Sequence, residues 1–307
     1  MFKIEACIAS AQEQIEIGQN FRALQMLERA MEIYDEYEVD DVNDLLEIAV
    51  LYDEAGSQHL AEKVYRRALK DYPNEGRAYY GLGLMYDDMN EFEKAIDNYE
   101  KSIKYDDQND RAYFFLAFLL DSQGDKSRAI DLYKKVVELH PDDFWACINV
   151  GSICEEIGRL EEAIAYTEKA VSLNRGHYLP YFNLGVIYDK KKDYMRAIRY
   201  YMNSLDCDVT YGYTHLNLAV LYKTLGDVKK GIEVLDRALS VFELKKEGYI
   251  YYNRACFNAI VGNYDQAIAD VREAVYLYPG FKKYAADDAD LKVLENRAEY
   301  KKFMYGK

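Results

Sequence analysis

Apolar side chains recur along most of the chain with the spacing of amphipathic helices. Tyr79, Leu82 and Tyr86 fall at i, i+3 and i+7, and a second stretch that starts at Ala95 has the same spacing. Residues at these intervals lie on one face of an α-helix, so each stretch predicts a helix with one apolar face. A break near Met89–Glu91 predicts a tight turn between the two helices.

This two-helix pattern recurs with a period of 34 residues. The alanine at Ala95 returns at Ala129 and Ala163, and short insertions at Glu38–Asp41 and Lys246–Glu247 shift the register locally. Alignment on this alanine divides the chain into eight units: residues 4–37, 42–75, 76–109, 110–143, 144–177, 178–211, 212–245 and 248–281. A period of this length predicts a solenoid of stacked helix pairs.

Small residues occupy fixed positions of the repeat. Gly83 and Ala95 lack bulk where the two helices of one unit must approach closely. Position fifteen holds a glycine in six units, and a glycine there supplies the positive φ that ends a helix. These glycines are Gly18, Gly56, Gly124, Gly158, Gly226 and Gly262.

The residues at these positions resemble those of the tetratricopeptide repeat family. Positions seven and eight hold Leu82-Gly83, Leu116-Ala117 and Leu184-Gly185. Tyrosines recur at positions eleven and twenty-four: Tyr52, Tyr86, Tyr188 and Tyr222 at the first, and Tyr65, Tyr99, Tyr133 and Tyr201 at the second. The resemblance spans all eight units and implies an all-α, right-handed superhelical solenoid of antiparallel helix pairs over residues 1–281.

Residues 282–307 follow the last unit and are predicted to form a C-terminal capping helical segment. The segment resembles the D-x-D-L-x-x-L…F ending that follows many bacterial tetratricopeptide arrays. An uncapped solenoid exposes an apolar end, and the side chains expected to cover it are Tyr284, Leu291, Leu294, Tyr300 and Phe303.

The chain is acidic, and the acidity is concentrated at one end. It has 39 Lys and Arg against 54 Asp and Glu, a formal net charge of −15, and residues 1–110 account for all of it. Phosphate backbones and anionic lipid surfaces attract basic proteins, so we expect neither a nucleic-acid nor a membrane partner. The field of the acidic end is expected to attract partners with basic residues.

The sequence gives no sign of a secretory or membrane-spanning segment. No stretch approaches the ~20 consecutive apolar residues that a bilayer requires. The opening residues, MFKIEACIASAQEQIEIG, include acids and glutamines where a signal peptide has an apolar run. We therefore expect a cytoplasmic protein.

Motifs for catalysis and metal binding are missing from the sequence as well. The four histidines fall in different units, and no glycine-rich phosphate loop occurs. Cys147 and Cys154 are seven residues apart on one helix face, which is typical of core positions rather than of a zinc site. We expect no enzyme, no cofactor and no metal site.

The resemblance implies that the first helix of each unit lines a concave groove, through positions two, five, six, nine, twelve and thirteen. Position six holds asparagine in the last four units: Asn149, Asn183, Asn217 and Asn253. An asparagine donates and accepts hydrogen bonds at once, so it can bind both backbone groups of an extended peptide. The arrangement is similar to the asparagine ladder of the O-linked N-acetylglucosamine transferase superhelix, although asparagine at this position is common across the family.

Aromatic side chains take groove positions in the middle units: Tyr80, Phe114, Phe115, Phe118 and Trp145. Trp145 is the one tryptophan and stands at position two, away from the packed position four. Exposed aromatic residues in a concavity are typical binding hot spots. For Phe115 and Phe118, packing between neighbouring first helices is the alternative.

Acidic side chains hold position twelve in five successive units: Asp53, Asp87, Asp121, Glu155 and Asp189. Their repetition at one groove position indicates a role in selecting basic partners, and a merely solvated face is the alternative. The carboxylate clamp of co-chaperone tetratricopeptide domains requires lysine at position five, which no unit has. Chaperone C-terminal tails are therefore not expected as ligands.

These patterns predict a non-catalytic scaffold or adaptor that binds an extended peptide or protein segment in its groove. The segment is expected to carry basic residues and an apolar anchor. Two alternatives stay open: a self-associating structural protein, and a regulatory array that acts with an enzyme such as a glycosyltransferase.

Overall fold

The computed structural model describes residues 2–37, 39 and 41–306, and within these ranges its regular structure consists of helices, without a strand. The all-α prediction is confirmed. Four residues lie outside the described ranges: Met1 of the predicted array, Glu38 and Asp40 of its first insertion, and Lys307 of the predicted cap. The chain divides into two compact units, residues 1–146 and 147–307.

The described helices of the first unit are α1 (Phe2–Glu16), α2 (Asn20–Glu36), α3 (Val42–Glu54), α4 (Gln58–Asp71), α5 (Gly76–Asp88), α6 (Phe92–Tyr105), α7 (Asp110–Ser122) and α8 (Lys126–Leu139). Helix α9 (Phe144–Glu156) includes the division between the units. Those of the second unit are α10 (Leu160–Leu173), α11 (Tyr178–Lys190), α12 (Tyr194–Cys207), α13 (Gly212–Thr224), α14 (Val228–Ser240), α15 (Gly248–Ile260), α16 (Tyr264–Leu277), α17 (Phe281–Asp287) and α18 (Ala298–Tyr305). Two short 3₁₀ helices cover Glu243–Lys246 and Lys292–Asn296.

Consecutive helices form hairpins in both units. In the first unit α1 packs on α2, α3 on α4, α5 on α6 and α7 on α8, and in the second α11, α13 and α15 pack on α12, α14 and α16. The first helices of neighbouring hairpins also contact one another, α1 with α3 and α3 with α5 in one unit, α11 with α13 and α13 with α15 in the other. Each unit therefore presents a surface built from its first helices, which we call the first-helix surface of that unit.

A residue with positive φ ends the first helix of each hairpin. The six glycines predicted at position fifteen have φ between +74° and +87°. Asn90 and Lys192 take this role where glycine is missing, with φ of 59° and 60°. In several hairpins an aspartate then begins the second helix, as where the Asp125 carboxylate accepts the backbone N–H of Arg128 at 3.2 Å.

Glycine and tyrosine pack together where the helices of a hairpin meet. Gly83 in α5 faces the ring of Tyr99 in α6, and Gly185 in α11 faces the ring of Tyr201 in α12. Both tyrosines are almost completely buried. The prediction that small residues at position eight allow close helix approach is confirmed at these two hairpins.

The C-terminal segment packs against the last hairpin. Leu291 and Leu294 are fully buried, and Tyr300 and Met304 almost so, in one apolar cluster with side chains of α15 and α16. Tyr284 is 62% exposed and contributes little to this cover, contrary to the expectation from the sequence. The exposure follows from its place on α17, where Ala285 faces inward instead.

A search of the described helices finds none that combines the length and the apolar character needed to cross a bilayer. The cytoplasmic location expected from the sequence stays a prediction.

Candidate functional site

The predicted aromatic residues of the first unit separate into a packed group and a projecting pair. Tyr80 on α5 and Phe115 on α7 are half-buried, with ring centroids 6.4 Å apart. Phe114 is also half-buried and meets Phe115 edge to face at 5.8 Å. Phe118 and Trp145 are instead 55% and 51% exposed. The packing alternative thus describes Phe115, whereas Phe118 and Trp145 offer aromatic surface to a partner.

The acidic residues of the first unit differ in their neighbours. Asp121 on α7 lies 2.9 Å from the ammonium of Lys126. Asp53 on α3 and Asp87 on α5 are half-buried, and no described lysine, arginine or histidine lies within 4 Å of either carboxylate. The difference follows from the sequence, because Phe92 stands at the repeat position that Lys126 holds in the next unit.

Burial raises the pKa of Asp53 and of Asp87 above the ordinary aspartate value. The negative charge of Asp88 raises both pKa values further, and Glu54 adds to the effect at Asp53. Nearby like charges and partial burial both disfavour the ionised form. The two carboxylates are therefore less stable as anions than exposed ones, and a cation placed beside them would stabilise them.

Tyr99 on α6, whose ring packs against Gly83, carries an unbonded hydroxyl. The Tyr99 side chain is fully buried, and its hydroxyl makes no hydrogen bond to any described residue. Burial raises the pKa of Tyr99, and the charges that raise it further include Asp87, Tyr80 and Asp88. In the sequence Tyr99 stands out only as one of the tyrosines at position twenty-four, although an aspartate at position twelve and a tyrosine at position twenty-four recur together.

The two acidic positions of the second unit differ in the same way, because one of them is paired within the chain. Lys190 pairs with the Glu155 carboxylate and also donates to the Glu155 backbone oxygen at 3.2 Å. Asp189 is half-buried, and burial raises its pKa. One of the two carboxylates is therefore already neutralised within the chain.

The four asparagines lie half-buried on first helices, and some of their groups are already bonded. Asn183 donates to the Ser152 hydroxyl at 3.0 Å, and Asn253 donates to the backbone oxygen of Tyr249, one turn earlier in α15, at 2.8 Å. The side-chain oxygen of each remains available as an acceptor. Peptide binding by these asparagines stays a prediction.

The C-terminal segment occupies part of the first-helix surface of the second unit. The Tyr252 hydroxyl donates to the Asp288 carboxylate at 2.6 Å, and Lys223 pairs with Asp290. Tyr252 is at groove position five of α15, and Lys223 is at position twelve of α13. The contact was not predicted from the sequence, where its signal is the basic Lys223 at a position that is acidic in five other units.

Cys256 lies at the same contact. Its thiol lies near the carboxylates of Asp288 and Asp290. In the described part of the chain, this is the one group of three or more potential metal-ligand side chains whose ligand atoms all lie within 4.8 Å of one another. Burial, followed by the charges of Asp288 and Asp290, holds the pKa of Cys256 far above its usual range. The Asp288 carboxylate already accepts from the Tyr252 hydroxyl and Asp290 pairs with Lys223, so this group is part of the contact that docks the C-terminal segment.

Comparisons with known proteins find helical-repeat profiles in both units. Residues 2–148 match the profile of the tetratricopeptide repeat protein 21 C-terminal ARM domain. The tetratricopeptide repeat profile matches residues 146–177, 180–208, 213–243 and 248–281. The comparison with curated proteins gives no match.

Solved structures share the fold at low sequence identity. A tetratricopeptide repeat protein from Parabacteroides merdae has a TM-score of 0.58 at 15% identity, over 83% of this chain and 99% of that one. Human IFIT1, solved as a dimer with m7Gppp-AAAA, has a TM-score of 0.54 at 14% identity, over 96% and 75%. The APC/C hetero-tetramer Cut9-Hcn1 has a TM-score of 0.53 at 18% identity, over 90% and 52%. At these identities the likeness concerns the fold alone.

Proposed function

Because this chain belongs to the tetratricopeptide repeat family, we propose that it is a scaffold that binds an extended segment of a partner protein on its first-helix surfaces. The proposal assigns it no catalytic step. The partner segment carries an apolar anchor and basic residues.

The exposed aromatic side chains of the first unit carry the proposal. Phe118 and Trp145 leave half or more of their surface open to solvent, while Phe114 and Phe115, on the same helix as Phe118, are half-buried. Large aromatic residues contribute most of the binding energy in many protein interfaces, because they bury much area at low entropic cost. The half-buried carboxylates of Asp53 and Asp87 supply the complementary charge for basic residues.

Selection of peptides from a displayed random library, followed by calorimetry, tests the proposal. We expect selected peptides to share an apolar residue and one or more basic residues. Trp145→Ala should weaken their binding by about 2 kcal/mol or more, as for a hot-spot residue. Phe21→Ala is the matched control, because Phe21 is 73% exposed but lies on a second helix, α2.

The asparagines of the second unit have their own readout. Replacing Asn183 and Asn217 together by alanine should weaken peptide binding by ~1–3 kcal/mol for each lost hydrogen-bond partner. The loss should be similar for peptides of unrelated sequence, because their backbones are alike. Circular dichroism verifies that each variant folds. If the Trp145 variant and the double asparagine variant bind as the parent does, the first-helix proposal is wrong. A dimer in size-exclusion chromatography with light scattering would then favour the self-associating alternative.

A further inference from the structure

We infer that the first unit binds a phosphorylated side chain of a partner protein in a cleft between α4 and α6. The cleft has a volume of about 460 Å³, and side chains of α5 also line it. Its cationic lining residues are Arg66, Lys70, Lys94 and Lys101. We call it the basic cleft. The residues that line it differ from those proposed above for peptide binding, so the inference goes beyond the proposed function.

The basic cleft gathers positive charge in the most acidic part of the chain. Residues 1–110 have 11 Lys and Arg against 26 Asp and Glu, and four of these cations line this one cavity. Asp97 is the acidic residue among those that line it. At physiological ionic strength charges more than about 8 Å apart are largely screened. The cations of the cleft therefore determine what binds there more than the distant acidic residues do.

Arg66 is held in place with one end of its guanidinium unused. Its Nε donates to the Glu62 carboxylate at 2.8 Å, and Nη2 donates to the Tyr86 hydroxyl at 2.9 Å. The Tyr86 hydroxyl donates to the same Glu62 oxygen at 2.7 Å, which closes a ring of hydrogen bonds. Nη1 makes no bond to any described residue, and the Arg66 side chain is 62% exposed. A guanidinium fixed in this way has accessible N–H groups for an oxyanion.

The lysines of the cleft are open to solvent. Lys70 lies one turn after Arg66 on α4, is exposed, and has no described carboxylate within 4 Å of its ammonium. Lys94 and Lys101 on α6 each pair with a nearby carboxylate, with 58% and 44% of their side chains exposed. Exposed pairs contribute little to stability, so a ligand with more charge than one carboxylate can compete for these two lysines.

A phosphate monoester suits this arrangement better than a carboxylate. It carries a charge of about −1.5 to −2 at pH 7 and three strong acceptor oxygens, whereas a carboxylate has one charge and two oxygens. The cations approach the cleft from two helices, α4 and α6. An anion with acceptors in several directions can bond to both sides at once.

The basic cleft also has room for the side chain that carries the phosphate. Leu82 and Tyr86 of α5 line it and are almost completely buried, as is Asn98 of α6. Leu69 and Tyr79 add half-buried apolar surface. A volume of about 460 Å³ lies within the range of about 300–1,000 Å³ that is typical of small-ligand sites. Contacts to these residues should hold a phosphorylated side chain more tightly than a free phosphate ion.

Phosphorylated amino-acid derivatives test the inference without a partner protein. The probes are the Nα-acetyl methylamide derivatives of phosphoserine and phosphotyrosine, titrated into the full-length protein in about 0.15 M salt. NMR follows the arginine Nε–H resonances, and the Arg66→Lys variant assigns that of Arg66. We expect the tighter of the two probes to shift this resonance. Inorganic phosphate should bind about threefold or more weakly, and the aspartate derivative about tenfold or more weakly.

Three variants locate the binding. Lys70→Gln should weaken the tighter probe about tenfold, because it removes a charged hydrogen-bond donor. Lys63→Gln is the matched control and should change the affinity less than about twofold. Lys63 is another exposed lysine of α4 without a described carboxylate within 4 Å, but it lines a different cavity, between α2 and α4. Arg66→Lys keeps the charge and loses the planar fork, so it should weaken the probe about fivefold. Circular dichroism verifies that each variant folds.

The outcomes separate this inference from the proposed function. It is overturned if neither phosphorylated probe binds, if the aspartate derivative or inorganic phosphate binds as tightly, or if Lys70→Gln and Lys63→Gln lose equal affinity. If library peptides depend on Trp145 while the phosphorylated probes do not bind, this inference fails alone. If the phosphorylated probes bind in the basic cleft but no peptide depends on Trp145 or the asparagines, the proposed function fails alone.

Discussion

Gly83 has no side chain because the ring of Tyr99 fills the space where one would stand. A Cβ built on Gly83 would lie 2.6 Å from two carbons of that ring, closer than real Cβ atoms approach other atoms. Tyr99 is fully buried, so its ring cannot move aside into solvent. The contact fixes the distance between α5 and α6.

Gly83→Ala should therefore destabilise the protein, although alanine favours helices more than glycine does. We expect the free energy of unfolding to fall by about 1–3 kcal/mol, the usual cost of overpacking a core. Gly176→Ala is the control, since its Cβ would meet only the Asn174 side chain at 3.7 Å. Urea unfolding followed by circular dichroism measures both. Equal stabilities of the two variants would show that the hairpin relaxes around the new methyl group.

Lys192 adopts the positive-φ conformation that glycine has at the same position in six other hairpins. Its φ is 60°, in the left-handed region, where a side chain costs an L-residue about 1–2 kcal/mol. Lys192→Gly should stabilise the protein by about 0.5–1 kcal/mol, because the greater freedom of glycine in the unfolded chain offsets part of the gain. Asn90→Gly should gain less, since asparagine tolerates this region. A fall in the urea midpoint of Lys192→Gly would contradict this account.

Sequence alone was sufficient for the helix pairs, because their signals are local. The break at Met89–Glu91, the glycines at position fifteen and the small residue at Gly83 each act within one hairpin. The structure has α5 ending at Asp88 and α6 beginning at Phe92, as the break requires. Propensity and spacing decide such features without reference to distant residues.

The candidate site was less predictable, because its properties depend on the neighbours of each side chain as well as on its repeat position. Asp87 and Asp121 share position twelve, yet Asp121 has Lys126 beside it and Asp87 has Phe92 at the corresponding place. The docking of Asp288 on Tyr252 joins residues 36 positions apart, beyond the last full repeat, where no periodic pattern extends. The position of a side chain in the motif therefore identified the surface, and the neighbours determined its charge.

Arg254 and Asp270 form a mostly buried ion pair between α15 and α16. The guanidinium of Arg254 donates twice to the Asp270 carboxylate, at 2.9 and 2.7 Å, and only 3% of the Asp270 side chain is exposed. Asp270→Ala should lower the free energy of unfolding by about 3 kcal/mol, because it leaves a largely buried charge without its main partner. The double variant Arg254→Met with Asp270→Leu should recover most of this loss.

An exposed pair provides the comparison for Arg254 and Asp270. Arg29 and Glu32 lie 2.6 Å apart with more than half of each side chain exposed. Glu32→Gln should leave the stability almost unchanged, because solvent screens an exposed pair. If Asp270→Ala costs no more than Glu32→Gln in urea unfolding, the buried pair contributes nothing beyond a surface one.

Removal of residues 282–307 should expose the apolar cluster that Leu291 and Leu294 cover. Both side chains are fully buried, and truncation of such a leucine costs ~2–5 kcal/mol. We expect the shortened protein to melt at a lower temperature and to form new oligomers, since an exposed apolar end associates. Light scattering and thermal unfolding measure these effects. A shortened protein that stays at the parent's oligomeric state with an unchanged melting temperature would show that these residues are not a cap.

Asp53 and Asp87 should reduce the stability of the folded protein at neutral pH, although their charges favour binding of a basic partner. The pKa of each is raised above its ordinary value of 3.8, so the folded state holds these protons more tightly than the unfolded state. Their contribution to stability is therefore greatest at low pH and is lost as the pH rises from about 3.8 through the raised values. At pH 7 both are charged, and Asp88 repels them.

Replacing Asp53 and Asp87 by asparagine should consequently raise the melting temperature at pH 7. We expect a gain of at most about 1 kcal/mol, since solvent screens half-exposed groups. The gain should shrink in about 0.5 M salt, where charges interact only over a few ångströms. Asp97→Asn, which loses its pair with Lys101, should give no gain. If the double variant is more stable and binds the selected basic peptides more weakly, the repulsion is part of the binding function. If its melting temperature equals that of the parent in low salt, the two carboxylates do not repel their acidic neighbours measurably, and the charge argument for a basic partner loses its support.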